Sequence, residues 1–563
     1  MRETLNFCPP DVSNTGRDHL ITKGLGFINA VLAGAFIATG ALADADWPSA
    51  GANLNNSRYQ DKERRISAQT VGSLGLKWTL NTSGDVTANP TVDGKYLYFP
   101  DSAGFLYKVD KDTGTLIWKK PISSYTGITG DYARATPAVA GNLLILGNQS
   151  GKFLGAAFNQ PNPQPARVFA VDKNTGNPVW NTQVDATPLS FVTHSAIVFK
   201  DTAFVGVASS EELVAAFVPP VYWQWQFRGS VVALDVLTGQ IKWQTYTVPP
   251  GYYGASVWGS TGAVDKDSNQ LFMATGNNFA VPQTVLNCLA SGASPSSCMS
   301  PDNHFDSIIA LDIDTGAINW GARGVPSDVW NVACGLNEPG LIVVSPGPFF
   351  PGVYGNCPNA NPATAGPDYD FAQGPMLLGG GLVGAGQKSG LFWAFDHKTG
   401  ALAWKTQVAP GGVTGGLQWG SATDGNRIFV AVANSGTPSA GGGVGALPWT
   451  LTDGSTTVSG GWAALDRKTG AVLWTTKDPI GSRSEAAVSA ANDVVFGCNL
   501  APGVGRMVAM DAKSGAILWS FDSGGPCNAG PSISDGMVFW GSGTFIGATL
   551  GGAGPKKLFA FGL

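Results

Sequence analysis

Charge is the first thing this chain of 563 residues has little of. Asp, Glu, Lys and Arg make up 13% of it, against roughly 25% in an average soluble domain. The 34 basic and 39 acidic residues leave a net charge of −5. No run of Lys or Arg exceeds three residues, so the basic footprint that neutralises phosphates is missing and nucleic acid is not expected as a partner. No C-x-x-C-H occurs, which excludes a covalently attached c-type haem, and no spacing matches a zinc site. Adjacent cysteines are absent too, so no vicinal disulfide can form. Past residue 41, no apolar run approaches the ~20 residues of a membrane span.

What the chain has instead is turn formers and aromatics. It holds 76 Gly and 36 Pro, with 18 Trp and 28 Phe. Gly at this frequency costs helix stability repeatedly, which argues against a long helical protein. With 44% hydrophobic residues the chain is not disordered. A large globular protein of short strands and tight turns is expected.

Gly24–Ala41 is an uncharged apolar stretch preceded by Arg17 and Lys23 and followed by Ala41-Leu42-Ala43. That is the pattern of a secretory signal peptide over residues 1–43; the alternative is an uncleaved anchor. Cleavage removes Cys8 and leaves six cysteines in an exported, periplasmic or secreted chain. Their spacing favours local pairs, Cys288–Cys298, Cys334–Cys357 and Cys498–Cys527.

Self-similarity sets the fold class. The pattern apolar-x-Asp-x-x-Thr/Ser-Gly-x-x-x-Trp runs from Asp110 to Trp118, Asp172 to Trp180, Asp235 to Trp243, Asp312 to Trp320, Asp396 to Trp404, Asp466 to Trp474 and Asp511 to Trp519. Each copy reads as a hairpin: Asp and Thr/Ser close the turn, Gly takes its positive-φ position, and Trp begins the next strand, where its ring packs between sheets. These Asp and Thr residues are structural. An eighth copy is split, with Lys556–Leu563 matching the strand before the turn and Leu74–Leu80, carrying Trp78, the strand after it. The expectation is an all-β, eight-bladed β-propeller over residues 44–563, closed by N- and C-terminal strands sharing one blade. Blade spacing of 62 to 84 residues in the middle of the chain, against about 40–45 for a four-stranded blade, locates long insertions at about 206–228, 278–305, 330–375 and 434–458. Grouped on one face of a rigid scaffold, such loops suggest a binding site.

Within these stretches lie the residues that carry chemistry. Gly206–Glu212 (GVASSEE) places two glutamates after an apolar strand, and Ala274–Phe279 reads ATGNNF. Pro367–Phe371 reads PDYDF. If extended, it sets two carboxylates on one face, an arrangement that is unfavourable unless a cation sits between them. Twenty residues after Asp368, Lys388 follows in GQKSG.

Together with the Trp repeats, ASSEE, FRGSVVALD, ATGNNF, PDYDF and GGLQWGSATDG resemble the quinoprotein alcohol dehydrogenases, in particular the polyvinyl-alcohol-dehydrogenase-like branch. The resemblance covers the whole mature chain and implies pyrroloquinoline quinone (PQQ) with a metal ion on the propeller axis. It assigns Glu211 (or Glu212), Asn277 and Asp368 to the metal. Asp370 stands where some relatives add a carboxylate for a lanthanide, and Ca²⁺ is the first expectation. It makes Asp368 the catalytic base, Lys388 the cation near the reduced quinone oxygens, Trp258 the floor under the quinone, Arg134 a partner of a PQQ carboxylate and Trp419 a pocket wall. The implied activity is oxidation of a secondary, polyol or polymeric alcohol, with electrons passing to a c-type cytochrome or another soluble acceptor. Two places depart from the family: Ile128-Thr129-Gly130-Asp131 and Trp225-Gln226 stand where many relatives carry paired cysteines. A non-catalytic propeller scaffold of an envelope assembly complex is the alternative; a calcium-dependent sugar- or polymer-binding propeller is a third reading.

Overall fold

The computed structural model describes residues 45–150, 164–335, 356–358, 366–434, 446–544 and 554–563. The expected leader, and the centres of the insertions at 330–375 and 434–458, lie outside these residues.

Among the described residues, eight sheets of four or five strands follow one another along the chain, with two small two-stranded ribbons besides. Neighbouring strands in each blade are antiparallel, and the first strands of successive blades, such as Thr91–Asp93, Ala138–Ala140 and Ile197–Phe199, touch around a central axis. The result is the expected eight-bladed propeller. Closure is as expected too: Gly75–Asn81 pairs with Lys557–Gly562, setting Gly75 opposite Gly562 and Trp78 opposite Ala560. That pairing leaves no open edge between the first and last parts of the ring.

The repeat works as its residues dictate. In the fourth blade, Asp312 Oδ1 accepts the N–H groups of Asp314 and Thr315 and the Thr315 hydroxyl. Gly316 then turns with φ +73°. A β-bulge follows, which aims Trp320 across the strand at Ala310, a small residue that leaves room for the indole. Trp320 Nε1 donates to the carbonyl of His397 in the next blade at 3.2 Å, and its ring covers Gly400 so closely that a Cβ there would stand 2.6 Å away. The seam recurs around the ring and across the closure, where Trp519 donates to Leu74 O and Trp78 to Lys111 O, both at 3.0 Å.

Strand direction places the functional end. The start of each first strand and the end of each second strand lie at the same end of a blade, while the Asp-Thr-Gly turns lie at the other. Insertions between second and third strands therefore gather at the first end, among them the Glu211–Val214 helical turn and the Gln283–Ala290 and Pro295–Cys298 helices. The disulfides form as the spacing favours: Cys288–Cys298, Cys334–Cys357 and Cys498–Cys527.

One element had no sequence signature. Residues 47–60 cross the bottom of the axis and pair in turn with the first strands of most blades. Val139 N–H donates to Pro48 O, Val264 to Leu54 O, Leu377 to Asn55 O, Thr423 to Ser57 O and Ala490 to Arg58 O. This plug closes the channel opposite the insertions. Among the described residues, no helix is long and apolar enough to cross a membrane.

Candidate active site

Eight blades contribute the same two backbone positions to the axis: the stretch entering the first strand and the stretch leaving the second. Trp258, Asp368, Asp370 and Trp419 come from the former, and Asn277, Lys388 and the glutamate pair from the latter. The site is therefore assembled from residues far apart in sequence by one repeated geometry.

At its centre Lys388 Nζ donates to Asp368 Oδ1 and Oδ2 at 2.9 and 3.0 Å and to Asp370 Oδ2 at 2.7 Å. All three side chains are buried. Asp370 is fixed further by the Asn277 N–H, which donates to its Oδ1 at 2.7 Å, and by Trp258 Nε1, at 3.2 Å from Oδ2. Gly276 makes room for this, since a Cβ there would stand 2.6 Å from Asp370 Oδ1. The Lys388 ammonium lies 5.4 Å from the centre of the Trp258 ring. Trp419 meets Trp258 edge-on at 5.4 Å, and the Arg134 guanidinium lies 5.1 Å from the Trp419 ring centre.

The Asp-x-Asp segment is not extended as the alternation suggests. Asp368 takes φ +57°, and Asp328 holds the kink by accepting the N–H groups of Asp368 and Tyr369 at 3.2 and 2.8 Å. The two carboxylates still meet, because Lys388 draws both to one ammonium. Behind Asp328 stands Asp306, fully buried, whose oxygens meet no N–H or hydroxyl donor. Burial, then the charge of the neighbouring Asp328, raises the Asp306 carboxyl well above the ordinary carboxylate range. Neither residue sits in a recognisable motif, and sequence reasoning missed both.

The glutamates divide differently from the sequence expectation. Glu211 turns its Oε2 to the N–H groups of Gln226 and Phe227, at 3.3 and 3.1 Å, and burial lifts its carboxyl to about 7. It braces the Gln226–Phe227 backbone. Glu212 is the one whose charge is felt at Asp370, Lys388, Asp328 and Asp368, and burial followed by the charge of Asp370 lifts its carboxyl to about 8. Asn277 spends its side-chain Nδ2 on Trp330 O, at 2.7 Å. Burial works against the Lys388 charge, but Asp368, Asp370 and Glu212 outweigh it and hold the ammonium protonated.

Asp368 and Asp370 thus hold a single ammonium, with the charge of Glu212 felt there and the carboxyls of Asp328 and Asp306 stacked behind. Oxygen ligands in such excess suit a hard cation, and the exposed face of Trp258 beneath Lys388 suits a planar aromatic group. The residues present fit both parts of the implied cofactor set. Among the described residues no three carboxylates, histidines or cysteines already converge on one point; the Lys388 ammonium stands between Asp368 and Asp370 instead.

This propeller, with acidic side chains on its axis, is of the quinoprotein type. A family profile described as outer membrane protein assembly factor BamB matches residues 62–322 and 459–548, and the chain belongs to that repeat family. Among curated relatives, a polyvinylalcohol dehydrogenase of Pseudomonas sp. is 26% identical over 69% of this chain and 55% of its own length. One from Sphingopyxis sp. is 26% identical over 76% of this chain and 58% of its own. The chain therefore spans just over half the length of these relatives. A quinohemoprotein alcohol dehydrogenase of Comamonas testosteroni is 27% identical over 53% of this chain and 41% of its own length. Its crystal structure superposes with a TM-score of 0.63 at 19% identity, covering 92% of this chain and 80% of that one. A europium-containing methanol dehydrogenase gives 0.62 at 16%, covering 92% and 98%. At these identities the two structures share the fold.

Proposed function

We propose that this chain is an exported dehydrogenase that oxidises an alcohol to a carbonyl compound with PQQ and a hard cation on the propeller axis. The reading rests on one observation above all: a buried ammonium clasped by Asp368 and Asp370 over the Trp258 ring. When bound, PQQ would supply a hydride acceptor and the cation, Ca²⁺ or a lanthanide, a Lewis acid.

The residues of the chain do the rest. Glu212, Asn277, Asp368 and Asp370 supply oxygens to the cation, with Glu211 bracing the loop behind. Asp368 takes the hydroxyl proton of the alcohol, for which it must lie within hydrogen-bond reach of that hydroxyl. Lys388 moves off Asp368 and stabilises the negative charge that develops on the acceptor oxygen. Asp328 fixes the backbone of Asp368, so the base approaches from one direction. Trp258 and Trp419 exclude water from one side, and Arg134 binds a cofactor carboxylate.

The polymeric and secondary alcohols are favoured as substrates by the names of the two polyvinylalcohol relatives. Electrons then leave to an acceptor such as a c-type cytochrome. A periplasmic or secreted location fits the leader pattern and three disulfides.

The competing reading, an envelope-assembly scaffold, draws on the description of the family profile. It gives no role to the buried carboxyls of Asp306, Asp328, Asp368 and Asp370 or to the buried Lys388. Reconstituting the protein with PQQ and Ca²⁺ or a lanthanide, then following dye reduction with primary, secondary and polymeric alcohols, separates the two. No turnover with any alcohol and no quinone absorbance after dialysis would sink the dehydrogenase reading.

A further inference from the structure

Below the carboxylate cluster, Arg58 rises from the plug into the axial channel. It is 1% exposed, and its Nε and Nη1 have no hydrogen-bond partner. A buried guanidinium without a counter-charge is costly, and burial alone lowers its pKa to about 10, with no acidic neighbour pulling the other way. Its head presses on the residue after Trp419: a Cβ on Gly420 would stand 2.4 Å from Arg58 Nε. Glycine is required there to let the arginine pass.

The guanidinium borders a cavity of about 40 Å³ that Arg134 and Trp419 also line. No carboxylate lines it. Thr136 Oγ1 accepts the Asn89 N–H and Ser195 Oγ accepts the Thr136 N–H, which leaves the proton of each hydroxyl for an occupant, while Ser260 Oγ donates to Trp419 O. Asn89 Nδ2 is a second unpaired donor. Asn528 Oδ1 also has no hydrogen-bond partner and becomes a donor when its amide is turned over. The volume holds one small group and not a whole cofactor. An occupant must therefore be a small anion, or reach in with one anionic group. Trp419 links the cavity to the aromatic floor through its edge-on contact with Trp258.

We propose that this cavity is a carboxylate-binding site in which Arg58 joins Arg134 in supplying the charge, and that its occupant is a carboxylate of the quinone cofactor. The second half rests on the functional reading above; a free carboxylate is the other source of the same chemistry. Arg58 is then a positioning residue, setting how far the cofactor slides across Trp258.

The test uses the full chain purified without cofactor, as wild type and Arg58→Gln. Thermal midpoints are measured against sodium formate at constant ionic strength, and PQQ affinity in Ca²⁺ by tryptophan quenching. Without ligand, Arg58→Gln is expected to melt at or above the wild-type temperature, since it removes an uncompensated charge. It should lose any formate-dependent rise and bind PQQ at least tenfold more weakly. If PQQ binds neither protein while formate stabilises wild type alone, the site stands with a free carboxylate as occupant and the dehydrogenase reading falls. Equal PQQ affinity and equal formate response in both proteins overturn the proposal. So does a ligand-free loss of stability in Arg58→Gln, which would make Arg58 a structural ion.

Discussion

Lys388 donates to both carboxylate oxygens of Asp368, at 2.9 and 3.0 Å, in a buried pocket. One ammonium thereby neutralises the proposed base and occupies the lone pairs a base must use. For Asp368 to accept a proton the ammonium has to leave it, and a cation beside Asp370 supplies the replacement charge.

Lys388→Ala removes that charge and leaves two buried carboxylates facing each other. The cofactor-free protein is expected to lose about 3–5 kcal/mol, and Ca²⁺ should restore part of it. Urea midpoints in Ca²⁺ and in chelator check this; a loss that Ca²⁺ leaves untouched would argue against cation binding at the pair.

Asp368→Asn keeps the shape and removes the basicity. Reconstituted protein should retain quinone absorbance while turnover falls roughly 10²–10⁴-fold. A variant with full turnover would remove Asp368 from the role.

The two glutamates are separable. Glu212→Gln is expected to weaken Ca²⁺ binding in the presence of PQQ about tenfold or more, because Glu212 faces the cluster. Glu211→Gln, whose carboxylate serves Gln226 and Phe227, should change the Ca²⁺ titration far less. Calorimetric titration of both variants decides between them.

The interblade seam can be probed with two glycines of the same handedness. Gly400 has φ +71° with the Trp320 ring 2.6 Å from a built Cβ, whereas Gly425 has φ +84° and open space around it. Alanine at Gly425 should cost roughly 1–2 kcal/mol of backbone strain. At Gly400 it adds the clash and should lower the urea midpoint clearly further.

His194, buried beside the axial cavity, has its pKa lowered to about 3 by burial. The unfolded chain takes up the proton near 6.5, so folding stability is present above that pH and declines as pH falls toward 3. By pH 5 the loss is about 2 kcal/mol. His194→Gln should flatten this slope; an unchanged pH profile of urea midpoints would contradict it.

The propeller was legible because its turn chemistry and its docking indole fall within ten residues of one another. Asp312, Thr315, Gly316 and Trp320 carry the same information in every copy. Lys388, Asp368, Asp370, Trp258 and Arg134 were legible through resemblance, and the axial geometry brings them together. Asp306, Asp328 and Arg58 were not. Each lies in an unremarkable stretch and acquires meaning from residues on other blades: Asp328 through the amides of Asp368 and Tyr369, Arg58 through Gly420. The choice between Glu211 and Glu212 stayed open for a related reason, since adjacent residues on a helical turn point different ways and local sequence does not say which way faces the axis.

The strand that fastens the ring pairs Gly75 with Gly562. During synthesis at about 5–20 residues per second, the earlier partner waits roughly 25–100 s for the later one. Until residues 557–562 are available, Gly75–Asn81 has no partner strand in its blade and is an unpaired strand edge open to other chains. Premature association at that edge, rather than loss of any blade, is the hazard this architecture must survive each time it is made.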